Sequence, residues 1–166
     1  VLSLLHRGQI VMDVGNPIQV SIGQFYGIEI NDFAVTVAKT ALWIAESQMM
    51  KATEDIVHMD LDFLPLKSYA NIIEANALRI DWNTVIPKEK LHYIMGNPPF
   101  VGYSLQNKEQ KADILSVYVD EKGKPYKTAG KIDYVAGWYY KAAKLIQNTN
   151  TRCALVSTNS ISPFSP

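Results

Sequence analysis

Apolar residues along this chain form short unbroken runs, separated by longer stretches in which they recur at helical spacing. The unbroken runs predict four buried strands, at residues 24–30, 70–78, 91–97 and 152–161. Strands that are apolar throughout, rather than at alternate positions, are typical of parallel sheets with both faces covered. The pattern therefore predicts an α/β fold, with a mostly parallel sheet and helices on both faces.

Two stretches between these strands have the spacing of amphipathic helices. The first follows Asn31 and Asp32, a good N-cap pair, and is predicted to run to about residue 51. Its apolar positions at helical spacing are Phe33, Val37, Ala38, Ala41, Leu42, Ala45 and Met49. The second helix is predicted at residues 132–147.

The remaining stretches show little periodicity and are predicted to be connections. Residues 52–70 form a loop, and residues 101–131 form a long loop with one helical turn near 113–118. Long loops in compact domains are often functional. The whole chain, 1–166, is interpreted as one truncated domain, with a poorly patterned lead-in at 1–23 and a core at 24–161.

Composition describes a globular protein and gives no sign of a general nucleic-acid binder. Hydrophobic residues make up 48% and charged residues 19%, and the formal net charge is zero. Overall neutrality lacks the basic bias of most nucleic-acid binders, although it leaves room for a local basic groove. No apolar run approaches the roughly 18 residues of a membrane span, so no membrane association is predicted.

The metal-ligating and nucleophilic residue types are sparse. His6, His58 and His92 do not cluster at metal-ligand spacing, so no metal site is predicted. The single cysteine, Cys153, excludes an intramolecular disulfide and fits a reducing compartment. Its position in the last apolar run predicts an inert, buried thiol.

Polar residues follow each predicted strand, where ligands bind in open parallel sheets. Glu29 could accept two hydrogen bonds from the hydroxyls of a ribose, or it could simply favour the positive end of the next helix. Asn76 could pair with the edge of an adenine ring beside Ala77 and Leu78, or it could be an ordinary turn residue. Asp81 and Trp82 follow closely and could share that contact.

The sequence Asn97-Pro98-Pro99-Phe100 is the most unusual of these strand ends. Proline cannot donate to a strand ladder and stiffens the turn, so the Pro98 carbonyl has no regular partner. With the side-chain carbonyl of Asn97, it forms two acceptors at a fixed separation. They could hold an amino group so that its nitrogen lone pair points outward, while Phe100 stacks on the attached ring. The alternative is a rigid turn with no ligand.

This motif resembles the Asn-Pro-Pro-Phe/Tyr motif of S-adenosylmethionine-dependent amino-methyltransferases, above all the DNA adenine methyltransferases. The stretches "FYGIEINDFAVTVAKTALWIAESQM", "NALRIDW" and "IMGNPPFVG" narrow the resemblance. They are similar to large adenine methyltransferases of restriction–modification systems, particularly single-chain enzymes with a fused endonuclease. The resemblance covers residues 24–161 and implies a partial Rossmann-like class I methyltransferase fold in a cytoplasmic protein.

By this resemblance the cofactor is S-adenosylmethionine. Its binding residues would be Glu29, Ile30, Asn76, Ala77 and Leu78. The family often has Asp where this chain has Asn76, which puts that contact in doubt. The target residues would be Asn97, Pro98, Pro99 and Phe100, holding an adenine flipped out of duplex DNA. The stretch 133–138 would resemble the helix beside both pockets, and "STNSI" the end of a following strand.

The family's first motif, a glycine-rich turn near the methionine part of the cofactor, has no match upstream of Glu29. "MDVGNP" and "SIGQFYG" contain glycines but lack the pattern. The sequence therefore predicts a fragment of the catalytic domain that alone binds the cofactor poorly and is inactive. Its partners would be the rest of the methyltransferase, a target-recognition domain and, in fused enzymes, an endonuclease.

Two alternatives stay open on the sequence alone. Protein-glutamine and RNA amino-methyltransferases carry the same four-residue motif, and a non-catalytic DNA-binding remnant would also retain it. The basic stretch after the motif favours a DNA-facing loop, although it could be a solvated loop. Its lysines are Lys108, Lys111, Lys122, Lys124, Lys127 and Lys131.

Overall fold

The computed structural model of the chain describes residues 20–57 and 70–158. Most of the predicted lead-in, His6, His58 and the end of the last predicted strand lie outside these residues. The chain divides into two compact units, with the boundary between Glu74 and Ala75. In both units the described strands pair in parallel, which confirms the predicted parallel α/β class.

The first unit is a strand–helix–strand arrangement. It contains β1 (Tyr26–Glu29), α1 (Asp32–Val57) and β2 (Asn71–Glu74), preceded by a 3-10 turn. Strands β1 and β2 pair in parallel with Tyr26 opposite Asn71. The predicted cap is confirmed, because the Asn31 Oδ1 atom accepts the Ala34 N–H at 3.0 Å.

Helix α1 is longer than predicted, and only part of its expected apolar face is buried. Phe33, Val37 and Met49 were expected on its apolar face, but their exposed fractions are 73%, 49% and 49%. The inward stripe begins at buried Val35 and includes Glu46, whose carboxylate accepts the Ile22 N–H at 3.0 Å. The predicted positions Ala38 and Leu42 lie on this stripe and are half-buried, so the hydrophobic pattern was partly right and missed the polar Glu46.

The second unit holds two strands, two α-helices and short turns. Its elements are β3 (Tyr93–Gly96), α2 (Lys108–Val117), α3 (Ala136–Leu145) and β4 (Arg152–Leu155), with 3-10 turns at Trp82–Thr84, Lys88–Lys90 and Ala129–Lys131. Strand β3 pairs in parallel with β4. The core of this unit packs Leu78, Ile114, Val117 and Tyr134 together.

The prediction of a long loop at 101–131 was wrong, because helix α2 occupies a third of it. The helix begins with a reciprocal capping box between Asn107 and Gln110. The Asn107 side chain accepts the Gln110 N–H at 2.8 Å, and the Gln110 side chain accepts the Asn107 N–H at 3.0 Å. An Asn-x-x-Gln pair is a recognisable start signal for a helix.

The strands are shorter and more exposed than their apolar sequences predicted. Tyr93 and Met95 on β3 are 65% and 78% exposed. Each described sheet has only two strands, so both are edge strands with little cover. Cys153 was expected to be buried, but on β4 it is exposed. Partial burial still raises the pKa of its thiol, so it lacks the signature of an activated nucleophile.

No helix among the described residues is both long enough and apolar enough to cross a membrane.

Candidate active site

Glu29 ends β1 in the first unit, as the sequence predicted. Its Oε1 atom accepts the N–H groups of Ile30 and Asn31 at 2.9 and 3.1 Å. This contact fixes the carboxylate at the turn that leads into α1. The described residues donate no hydrogen bond to the Oε2 atom, so this oxygen is an available acceptor at the strand end.

Residues 76–80, the Asn76 turn, follow β2 and belong to the second unit. The Asn76 Nδ2 atom donates to Asp113 at 2.9 Å, and its Oδ1 atom accepts the Leu78 N–H at 2.9 Å. Its backbone carbonyl accepts the N–H groups of Arg79 and Ile80 at 2.9 and 3.1 Å. Both polar ends of the Asn76 side chain are thus engaged within the protein.

The next carbonyls of the Asn76 turn are also engaged. The Trp82 Nε1 atom donates to the Ala77 carbonyl at 2.8 Å. The Lys141 Nζ atom, on α3, donates to the carbonyls of Leu78 and Ile80. The Leu78 side chain is only 3% exposed and lies in the core. Its side chain therefore has little surface left for a ligand, and a cofactor contact here would fall to neighbouring groups.

Asp81 and Trp82, which were expected to share the Asn76 contact, line an open cavity of about 260 Å³. Lys141, Lys144 and Leu145 of α3 complete its lining. The Lys141 ammonium lies 5.5 Å from the centroid of the Trp82 ring, within cation–π range. Burial lowers the pKa of Lys141, partly offset by the charge of Asp81.

Asp113 on α2 lies beneath the Asn76 turn and is 2% exposed. It accepts hydrogen bonds from Asn76, from the Tyr134 hydroxyl at 2.7 Å and from the Arg79 Nε atom at 2.5 Å. Burial raises the pKa of this carboxyl, but the three hydrogen bonds outweigh that effect and hold the pKa below 3.8. Asp113 is therefore a buried, ionised and fully paired carboxylate.

Residues 97–100, the motif turn, follow β3 directly. Pro98 is buried, while Asn97, Pro99 and Phe100 are exposed, Phe100 to 46%. Within residues 20–57 and 70–158, neither the Asn97 side chain nor the Pro98 carbonyl has a hydrogen-bond partner. The Asn97 side chain is therefore exposed without a protein partner, and the Phe100 ring offers a partly exposed aromatic face.

Residues 101–106, the anchored loop, continue from the motif turn and are held by the segment before α3. The Tyr134 N–H donates to the Val101 carbonyl at 2.9 Å. The Asp133 carboxylate accepts the Tyr103 N–H at 2.8 Å, and buried Gln106 donates to the Ile132 carbonyl at 2.8 Å. The stretch 133–138, predicted to lie beside the target pocket, thus begins with residues that fix the loop after the motif.

The lysines of the basic stretch occupy two exposed places. Lys108 and Lys111 lie on α2, and Lys122, Lys124 and Lys127 lie around a turn closed by the Val119–Pro125 bridge. At the tip of this turn, Gly123 has a φ of 75° and the Asp120 side chain accepts the N–H groups of Lys122 and Lys124. None of these five lysines forms an ion pair with another described residue.

The sequence did not single out Asp113 or Lys141, which organise the Asn76 turn, and it included Tyr134 only as part of the stretch 133–138. Burial of an acidic residue inside a short helix leaves no motif in one sequence. The capping pair at Asn107 and Gln110 was the one available signal, because it places α2 and puts Asp113 on the same helix as Ile114. Metal-ligating side chains form no cluster of three among the described residues.

The parallel strands, their helices and the motif turn place the chain among the Rossmann-like methyltransferase folds. It superposes with a TM-score of 0.81 and 48% identity on a type IIL restriction–modification enzyme, MmeI, solved in complex with DNA, and the match covers 93% of this chain. The chain belongs to the family described as the MmeI DNA-methyltransferase domain, whose sequence model matches residues 3–163. This confirms the predicted resemblance to a restriction–modification DNA methyltransferase.

A curated relative, DNA methyltransferase A of Bacillus subtilis (strain 168), is 45% identical over 145 residues, which is 86% of this chain. Both relatives are much longer. The chain spans 16% of the length of the Bacillus subtilis protein and 20% of the MmeI chain.

Proposed function

We propose that this chain is a fragment of the catalytic domain of a site-specific DNA adenine methyltransferase in a restriction–modification system. In this proposal, S-adenosylmethionine supplies the methyl group. The motif turn is the observation that carries the proposal, because its two carbonyl acceptors have no partner among the described residues. Membership of a DNA-methyltransferase family supports DNA as the substrate.

The chemistry of the motif turn suits an exocyclic amino group. The carbonyls of Asn97 and Pro98 accept its two hydrogens, which aligns the nitrogen lone pair away from the turn. Positioned acceptors also stabilise the positive charge that develops on this nitrogen as it is alkylated. The half-exposed ring of Phe100 offers a stacking surface for the base. The base must leave the duplex first, since its amino group is otherwise paired and stacked.

On the cofactor side, Glu29 is the residue whose geometry fits best. Its Oε1 atom is held by two backbone N–H groups, which leaves Oε2 to accept a ribose hydroxyl. Ile30 follows it and is 66% exposed, so its side chain is available to cover a flat ring. Asn76 and Leu78 would act differently from the sequence expectation, by shaping the turn with buried contacts, while Ala77 contributes backbone.

The decisive experiment uses the full-length protein that carries this chain. Duplex DNA is incubated with S-adenosylmethionine labelled in its methyl group, digested to nucleosides and separated by chromatography. Label in N6-methyladenine is the expected result. Label in 4-methylcytosine would keep the amino-methyltransferase and overturn adenine as the target. Label in a protein or in RNA, with none in duplex DNA, would establish an alternative substrate class. No transfer to any of them would favour a non-catalytic remnant.

The exposed lysines are proposed to bind DNA phosphates. Neutralising Lys122, Lys124 and Lys127 together to Gln should weaken DNA binding at all sequences and reduce the slope of log affinity against log salt by up to about 3, roughly one per phosphate contact. Fluorescence anisotropy at several salt concentrations measures this slope. The matched control is the exposed pair Lys88 and Lys90, outside the basic stretch. An equal loss in the control would contradict a specific DNA-facing loop.

A further inference from the structure

Asp113 joins two parts of the second unit that are separate in the sequence. Its Oδ2 atom accepts from Asn76 at 2.9 Å and from the Tyr134 hydroxyl at 2.7 Å, while Oδ1 accepts from Arg79. The carboxylate is 2% exposed, so water does not compete for these bonds. One buried group therefore fixes both the Asn76 turn and the Tyr134 side chain.

Tyr134 is held at both ends. Its hydroxyl donates to Asp113, and its backbone N–H donates to the Val101 carbonyl, the first carbonyl after Phe100. Its ring packs edge-on against Trp138 with the centroids 5.2 Å apart. A shift of the Tyr134 hydroxyl would therefore be transmitted to the start of the anchored loop.

The neighbours of Tyr134 extend this connection along the anchored loop. Asp133 accepts the Tyr103 N–H, and the Ile132 carbonyl accepts from Gln106. Three consecutive residues thus contact three positions of residues 101–106. Residues 132–134 therefore hold the anchored loop, and Asp113 in turn holds this segment through the Tyr134 hydroxyl.

We propose that Asp113 is a positioning residue that ties the Asn76 turn to the anchored loop and thereby aligns the motif turn for catalysis. The inference rests on the proposed function, because alignment matters only if Asn97 and Phe100 hold a substrate. A carboxylate suits this role because it has acceptors only, and all of its partners are donors. Arg79 is the dispensable partner, since its side chain is 58% exposed and can be hydrated instead.

The test is Tyr134→Phe in the full-length enzyme, which removes the hydroxyl and keeps the ring. Without this bond to Asp113, kcat for DNA should fall about tenfold, because small misplacements of a positioned group are costly. KM for S-adenosylmethionine should stay within about twofold, because Asp113 still binds Asn76. Hydrogen exchange followed by mass spectrometry should show about tenfold faster exchange in residues 101–106.

Arg79→Met is the matched control, because it removes the third donor to Asp113, the Arg79 Nε atom, without touching Tyr134. It should leave kcat and the exchange of residues 101–106 near the wild-type values. Asp113→Asn combined with Tyr134→Phe should lower kcat no further than Asp113→Asn alone, since the two side chains act through one bond.

The exchange measurement separates failure of this inference from failure of the proposed function. Faster exchange in the Tyr134→Phe loop, with a wild-type enzyme that does not methylate DNA, would keep the connection and overturn the proposed function. Wild-type DNA methylation with unchanged kcat and loop exchange in Tyr134→Phe would overturn the role of Asp113. An equal effect of Arg79→Met would also overturn it.

Discussion

Asn76 follows β2 and Asn97 follows β3, and the protein uses these two side chains in opposite ways. Asn76 engages its amide on both sides, with Asp113 and with the Leu78 N–H. Asn97 is exposed and has no hydrogen-bond partner among the described residues. One turn is stabilised by its asparagine side chain, whereas the other leaves its asparagine side chain exposed. The same residue type after a strand is thus built into the structure in one turn and left without a protein partner in the other.

The difference originates in what lies beneath each turn. Helix α2 brings a buried carboxylate under Asn76, and α3 brings Lys141 to the carbonyls of the same turn. The motif turn instead gains rigidity from Pro98 and Pro99, which need no hydrogen bond to restrict the backbone. This rigidity requires no hydrogen bond to the Asn97 side chain or the Pro98 carbonyl, and neither has a partner among the described residues.

The largest expected effect comes from Asn97→Ala in the full-length enzyme. Loss of one of the two acceptors should reduce kcat by about 10²–10³, the range for removal of one positioned polar group in an active site. Thermal unfolding should be unchanged, because the Asn97 side chain stabilises nothing in the described chain. Radiolabelled methyl transfer and calorimetry measure the two quantities. Near-normal kcat would show that Asn97 is not part of the site.

Asn76→Ala should have the opposite profile. It removes one hydrogen bond to a buried carboxylate and leaves the Leu78 N–H unpaired, which should destabilise the protein by about 2–3 kcal/mol. Denaturant unfolding measures this loss, and Asn97→Ala serves as its control. If Asn76→Ala left stability intact and only raised the KM for cofactor, Asn76 would be a ligand-binding residue and the contrast between the two turns would fail.

This contrast also marks how far the sequence could predict the molecule. The apolar runs identified the four strands found in residues 20–57 and 70–158, and the parallel class, because continuous strands leave a local signature. Asn97-Pro98-Pro99-Phe100 was identifiable because two prolines after a strand are restrictive in themselves. These features depend on neighbours in the sequence, so a single chain is enough to recognise them.

The missed features depend on residues that are distant in the sequence. Asn76 and Asp113 are 37 positions apart, and Lys141 is 63 positions from Leu78. No local pattern indicates that such groups will meet, or that Leu78 will be buried rather than exposed to a ligand. The inward position of Glu46 on α1 was missed for a related reason, since it depends on the contact of its carboxylate with the Ile22 N–H.

A smaller loss of stability should follow from adding a methyl group at Gly137, which packs tightly against Leu78 of the Asn76 turn. A Cβ atom on Gly137 would lie 2.9 Å from the Leu78 Cδ2 atom and 3.2 Å from the Ile114 Cδ1 atom. These side chains can shift a little, so Gly137→Ala should cost roughly 1–2 kcal/mol of stability, within the range for overpacking. Gly130→Ala is the matched control, because nothing lies within 4 Å of its Cβ position. Equal unfolding midpoints for the two variants would contradict tight packing at Leu78.

The smallest effect should appear at acid pH and only at the Asn76 turn. The pKa of Asp113 in the folded protein lies below its ordinary value of 3.8, so protonation is easier after unfolding. Its contribution to stability is therefore complete above pH 3.8 and is lost as the pH falls through the folded pKa. Asn76→Ala removes one of the bonds that lower this pKa, so its stability deficit relative to wild type should shrink on acidification from pH 5 to about pH 3.

Denaturant unfolding at several pH values measures this deficit. Asn97→Ala, which has no bond to an ionised group in the described chain, should follow the wild-type curve throughout. A deficit for Asn76→Ala that stayed constant across this range would show that Asp113 is not held ionised by the Asn76 turn. The pH dependence of each variant's stability deficit therefore distinguishes the two asparagines without any substrate. Only Asn76 donates to the Asp113 carboxylate, so only its deficit should change with pH.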